Sequence, residues 1–115
     1  MKKNFERYFI DEHCTIIQAI QRIELLSGKD AQVLFVIDSH QKIIGSLTDG
    51  DIRRGLIKGF KLEENVKSVM KEDFESLIDN EFNAEDVRKL KDDKIRLVPL
   101  LYKESTRYFH TFVLL

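Results

Sequence analysis

The stretch GSLTDGDIRRGLIKG, residues 45–59, concentrates the polar chemistry of this 115-residue chain. The apolar run IIGSLT delivers the hydroxyl of Thr48 and the carboxylates of Asp49 and Asp51, with Gly50 between the two acids and Arg53 and Arg54 just behind. If a helix starts there, its first turn offers free backbone N–H groups, which favour a phosphate. Thr48 can donate to phosphate oxygens, and Asp51 can accept from ribose hydroxyls, as acids do in dinucleotide sites. The planar fork of an arginine also suits phosphate. The same residues make a plain helix cap, with Thr48 as N-cap and Asp51 three residues on. That cap stabilises by about 1–2 kcal/mol and needs no ligand. Capping leaves Gly50 unexplained, and also the two arginines, because cations near a helix N-terminus oppose its dipole.

Other chemistry is thinly represented. His13, His40 and His110 are scattered and lack paired ligand spacing with the single Cys14, so no metal site is expected. His40 falls in a turn and reads as solvated, and His110 falls in a strand and reads as half-buried. Cys14 reads as a small packed residue, and one cysteine fits a reducing compartment. Asp49 and Asp51 are two apart, and side chains two apart on a helix do not face each other, which weakens a general acid/base pairing. No nucleophile elbow, Walker loop or zinc-protease motif is present. No catalytic residue is assigned, and a stand-alone small enzyme is the weakest of the functional readings.

The elements that must position the corner follow from periodicity. TIIQAIQRIELLSG reads as a helix capped by Thr15 and stopped by Gly28, with Ile16, Ile20 and Ile23 at helical spacing. VLFVID (33–38) reads as a buried strand and IIGSLT (43–48) as its neighbour across a turn. DIRRGLIKG returns to helix, with Ile52, Gly55, Leu56 and Gly59 along one face. The order then restarts: IDNEFN (78–83) echoes IDEHCT (10–15), and Asn83 caps a shorter helix with Ala84, Val87 and Leu90 on one face. LVPLLY (97–102) matches VLFVID, KESTR is a turn, and YFHTFVLL is the last strand. Pro99 lacks an N–H and is expected at a sheet edge or an irregular point. The connector FKLEENVKSVMKEDFE carries a short helical turn near Val66–Met70. Val113 falls where Thr48 stands in the first half, so at most one complete corner exists per chain.

Composition sets outer bounds. The chain is 43% hydrophobic and 34% charged with net charge −1, which suits a globular domain and argues against nucleic acid or an anionic membrane as partner. No segment approaches about 18 consecutive apolar residues, and a cytoplasmic protein is expected.

Gly45, Thr48 and Asp51, spaced Gly-x-x-Thr-x-x-Asp at the end of a strand–strand–helix repeat, resemble the CBS domain, named for cystathionine β-synthase. TDGDIRRGLIKG looks especially like the version carried by bacterial sugar-phosphate nucleotidyltransferases and isomerases, and VKSVMKED resembles the family's connector. The likeness runs over about residues 8 to 115 as a CBS pair. It implies an α/β tandem pair with small sheets, repeat 1 over residues 1–62 and repeat 2, without its last helix, over 63–115. It also implies a threonine that meets phosphate and an aspartate that meets ribose. The family's apolar adenine pocket falls by position near Val36 and Ile37 in the first repeat and Val98 and Pro99 in the second. The ligand-binding set expected from residues and resemblance together is therefore Gly45, Thr48, Asp49, Asp51, Arg53, Arg54, Val36, Ile37, Val98 and Pro99.

The function this implies is a regulatory module that binds AMP, ADP or ATP and controls a linked or partner catalytic domain, such as a sugar-phosphate nucleotidyltransferase. The alternative is a ligand-free CBS pair that dimerises or scaffolds. A homodimer is expected, because the unfinished second repeat exposes apolar surface, and so is continuation of the natural polypeptide beyond Leu115.

Overall fold

Each helix starts where a small polar side chain can close its first turn. In the computed structural model, which describes residues 5–26, 28, 30–103 and 105–115 (105–110 by backbone alone), all three helices carry a complete capping box. Thr15 pairs with Gln18 ahead of α1 (Ile16–Glu24), Thr48 with Asp51 ahead of α2 (Asp49–Ile57), and Asn83 with Asp86 ahead of α3 (Ala84–Asp92). Each box satisfies N–H groups that the helix itself cannot. The expected half-burial of His110 lies outside the described side chains.

The chain divides into two compact units, Met1–Phe74 and Glu75–Leu115. The first holds β1 (Phe9–Asp11), β2 (Val33–Ile37) and β3 (Ile43–Thr48) in a sheet of order β1-β2-β3. β1 runs parallel to β2, and β3 antiparallel to it. Leu34, Phe35 and Val36 are all buried, as a central strand requires, whereas β3 alternates with Ile43, Gly45 and Leu47 inward. α1 packs on α2 and β2. Its buried stripe is Ile16 and Ala19, with Ile20 and Ile23 half-buried. On α2 the buried residues are Ile52 and Gly55.

The second unit repeats the plan with β4 (Leu77–Ile78), β5 (Leu97–Tyr102) and β6 (Ser105–Leu114) in the order β4-β5-β6. Its core is Leu77, Leu90, Val98 and Leu100, with Val87, Ile95, Val113 and Leu115 packed against it. Parallel partners relate the two sheets: Ile10 lies opposite Val36, and Ile78 opposite Leu101. Three residues back along each central strand, Val33 pairs with Thr48 and Val98 with Val113. The second unit thus carries valine at the station of the capping threonine.

Several expectations are corrected. α1 ends at Glu24 with Leu25 as its C-cap, well before Gly28. Leu56 is exposed rather than buried, as is Gly59. The stripe of α2 is centred between Ile52 and Gly55, which leaves Leu56 on its flank. Ala84 is also exposed, so Val87 and Leu90 alone carry the inner face of α3. Of the two places expected for Pro99, the structure gives the irregular point and not the edge: it is fully buried in the central strand. β4 pairs with β5 only at Leu100 and Leu101, so position 99 lies beyond that ladder, beside a register shift at Leu100/Leu101. The short parallel strands β1 and β4 have no counterpart in the sequence reading.

Candidate functional site: the corner where β3 meets α2

Gly45 is placed by the connector. The chain leaves α2 through Gly59, whose φ of +109° is glycine's territory, and runs back across the first unit. It bonds α1's start (Ile16 N to Glu64 O, 2.8 Å) and then β3, where Ser46 N donates to Lys71 O at 2.9 Å and Lys71 N to Ser46 O at 2.8 Å. A Cβ on Gly45 would lie 2.6 Å from the Met70 sulfur and 2.9 Å from its Cγ, so any larger residue here requires Met70 to move aside. Gly55 has the same role on α2, where a Cβ would collide with Val69 Cγ1. Phe74 closes the connector with an edge-on contact to Phe35, ring centroids 6.2 Å apart.

At the corner, Asp51 is the organising group. Its Oδ2 accepts from Thr48 N at 2.9 Å and from the Thr48 hydroxyl at 3.0 Å, while Thr48 Oγ1 accepts from Asp51 N at 3.2 Å. Its Oδ1 accepts from Arg54 Nη2 at 2.9 Å. The carboxylate is largely covered, at 14% exposed, whereas the Arg54 side chain is 64% exposed. Arg53 pairs with Asp49 at 3.0 Å on the solvent side. Each arginine therefore lies over an acid of the first turn, and Arg54 itself falls in the last turn of α2, where a cation suits the helix dipole instead of opposing it as expected. A Cβ on Gly50 would lie 3.2 Å from Arg54 Nη1, a tight contact that a small shift of the exposed guanidinium relieves.

The expected residues separate into groups. Gly45, Thr48, Asp51 and Arg54 gather at the corner, and buried Val36 lies directly opposite Gly45 in the sheet. Ile37 is half-buried beyond a bulge between Val36 and Ile37. Asp49 and Arg53 form an exposed outer pair. Val98 and Pro99 are buried in β5 of the second unit.

Sequence reasoning missed the cavity next to Asp51. It measures about 230 Å³ and is lined by Asp51 and Arg54 together with Lys58, Ser68 and Lys71, over an apolar floor that includes Phe60 and Met70. Lys58 was discoverable, one turn after Arg54 on the same helix face. Lys71 was not, because only the bridge to Ser46 brings it there.

No family model matches the chain, and no curated protein matches it at a significant level. Solved structures do. The CbpB protein of Listeria monocytogenes in complex with c-di-AMP matches at TM-score 0.75 and 22% identity, over 99% of this chain and 84% of that one. The CBS domains of a transcriptional regulator from Streptococcus pneumoniae match at TM-score 0.70 and 15% identity, over 99% and 88%. The cytosolic domain of the Mg²⁺ channel MgtE in complex with ATP matches at TM-score 0.69 and 14% identity, over 94% of this chain and 42% of that one. The fold is that of a CBS-domain pair: a small α/β chain with two small sheets and three helices. No helix among the described residues is long and apolar enough to cross a membrane.

Proposed function

We propose that this chain is a regulatory CBS pair that binds an adenine nucleotide at the β3–α2 corner and passes its occupancy to a catalytic domain, linked or separate. Residues 1–62 and 63–115 are its two repeats, and a sugar-phosphate nucleotidyltransferase is the partner that the TDGDIRRGLIKG stretch suggests. The observation that carries this reading is the Asp51 carboxylate, largely covered at the start of α2 and set between the Thr48 hydroxyl and the Arg54 guanidinium. A carboxylate beside a hydroxyl, helix N–H groups and a guanidinium is the chemistry that ribose and phosphate require. Two of the similar structures hold such ligands, c-di-AMP and ATP. In this assignment Thr48 and Arg54 face phosphate and Asp51 faces ribose, while the strand backbone near Val36 and Ile37 borders the adenine position of the first repeat, as that near Val98 and Pro99 does in the second. Asp49 and Arg53 form the outer rim of the site. The module works in the cytoplasm as a homodimer, and exposed Leu25, Leu56 and Ile57 on α1 and α2 offer apolar surface for pairing. It performs no catalysis itself.

One observation favours the scaffold alternative: both Asp51 oxygens already have partners within the chain. The two readings separate by melting temperature. A ligand that binds only the folded state stabilises by about 2.7 kcal/mol at a hundredfold excess over Kd. Under the regulatory reading, AMP, ADP or ATP raises Tm in a saturable way. No shift and no heat of binding at millimolar nucleotide leaves the scaffold.

A further inference from the structure

We propose, building on the nucleotide reading above, that the ligand is a nucleoside polyphosphate, and that a phosphate beyond the first is held in the cavity beside α2 by Arg54, Lys58 and Lys71. The cavity lies wholly within the first unit, between α2 and the connector, and Asp51 is part of its wall. It brings three cationic side chains against one carboxylate, and that carboxylate is already engaged by Arg54. Neither Lys58 nor Lys71 forms an ion pair with a described residue. Like charges gathered at one concavity repel each other unless an anion joins them, and a lined cleft concentrates the opposite charge. Ser68 adds a hydroxyl that can donate to the same anion.

Size points the same way. Pockets that enclose whole small molecules measure roughly 300–1,000 Å³. This one, at about 230 Å³, suits a charged end group whose remainder lies outside, next to Asp51. Arg54 links the two places. Its exposed guanidinium now occupies Asp51 Oδ1, an acceptor position that a ribose hydroxyl needs. An anion seated on Lys58 and Lys71 competes for that guanidinium and draws it off Asp51. The exchange is easy, because exposed ion pairs hold with little net energy. The outer phosphate thereby frees the acceptor for the sugar, and a monophosphate lacks this device.

The test is calorimetric titration of the full chain and of a Lys58→Ala/Lys71→Ala variant with AMP, ATP and inorganic tripolyphosphate. Both lysine side chains are exposed, and Lys71 bonds β3 through its backbone, so the variant keeps the fold. The expected result is ATP binding about a hundredfold tighter than AMP, with most of that advantage (about tenfold for each lysine) lost in the double variant and an AMP affinity that does not move. Equal affinities for AMP and ATP that ignore the lysines overturn this inference and leave the nucleotide reading intact. Lysine-dependent binding of tripolyphosphate without binding of either nucleotide keeps the anion site and removes the nucleotide reading. Binding of none of the three removes both.

Discussion

Asp51 and Arg54 are joined within one turn of α2, with Oδ1 accepting from Nη2 at 2.9 Å while the other carboxylate oxygen closes the cap on Thr48. The pair sets the corner between two uses, since the residue that orders the helix start is also the one that would take a sugar hydroxyl. Arg54→Ala separates them. The cap on Thr48 remains, so stability should move by no more than about 0.5 kcal/mol, the worth of an exposed helix pair. Affinity for ATP should fall while affinity for adenosine holds or rises, since Asp51 Oδ1 is then open to the ribose, as read by titration with both. Equal losses for the two ligands would mean that Arg54 faces no phosphate.

Packing of the connector is testable without any ligand. Gly55→Ala places a methyl group against Val69, and overpacking of this kind costs about 1–3 kcal/mol. Alanine is also the better helix former by about 1 kcal/mol, so the substitution should become neutral or stabilising once Val69→Ala removes the obstacle. Urea unfolding of the two single variants and the double variant gives the coupling directly. Additive effects would show that Gly55 and Val69 do not meet.

Much of this fold is legible in the sequence, for local reasons. Thr15, Thr48 and Asn83 announce the helices because capping depends on a short polar side chain a few atoms from its target. VLFVI and IIGSLT are long enough to show their burial patterns. β1 and β4, at three and two residues, are shorter than any period, and parallel pairing with a distant strand alone defines them. Which of the two places expected for Pro99 it takes, edge or irregular point, was hidden for the same reason, since it depends on how far β4 reaches. At the site, Thr48, Asp51 and the arginines were visible as chemistry. The i,i+4 and i,i+3 spacings of Asp49–Arg53 and Asp51–Arg54 explain why arginines are tolerated there. Lys71 and the cavity were invisible, because a long-range bridge creates them.

The turn between β2 and β3 carries a pH signature. Asp38 Oδ1 accepts from Lys42 N at 3.0 Å and from His40 N at 2.8 Å. These backbone hydrogen bonds, that from Lys42 first, hold the Asp38 carboxyl below its ordinary value. A carboxylate whose pKa is lower folded than unfolded stabilises above the unfolded value, about 3.9, and loses that contribution as pH falls through the folded one. Asp38→Ala should therefore be less stable than wild type at neutral pH, and the gap should narrow as acid titrates the wild-type carboxylate. Unfolding curves at neutral and strongly acidic pH check this. A gap that is constant with pH would mean that Asp38 acts through something other than its charge.

The central claim rests on Asp51, and calorimetric titration of wild type and of Asp51→Ala with ATP tests it most directly. Losing the carboxylate removes the cap on Thr48 in any case, at about 1 kcal/mol of stability, so folding of the variant is verified by its unfolding curve. Asp51→Asn, which keeps the shape and loses the charge, grades the effect. The account predicts saturable heat for wild type, none for Asp51→Ala, and binding weakened by about 1–3 kcal/mol for Asp51→Asn, the range for hydrogen bonds to a charged group. ATP affinity unchanged in a folded Asp51→Ala protein, or no heat from wild type at millimolar ATP, would contradict it.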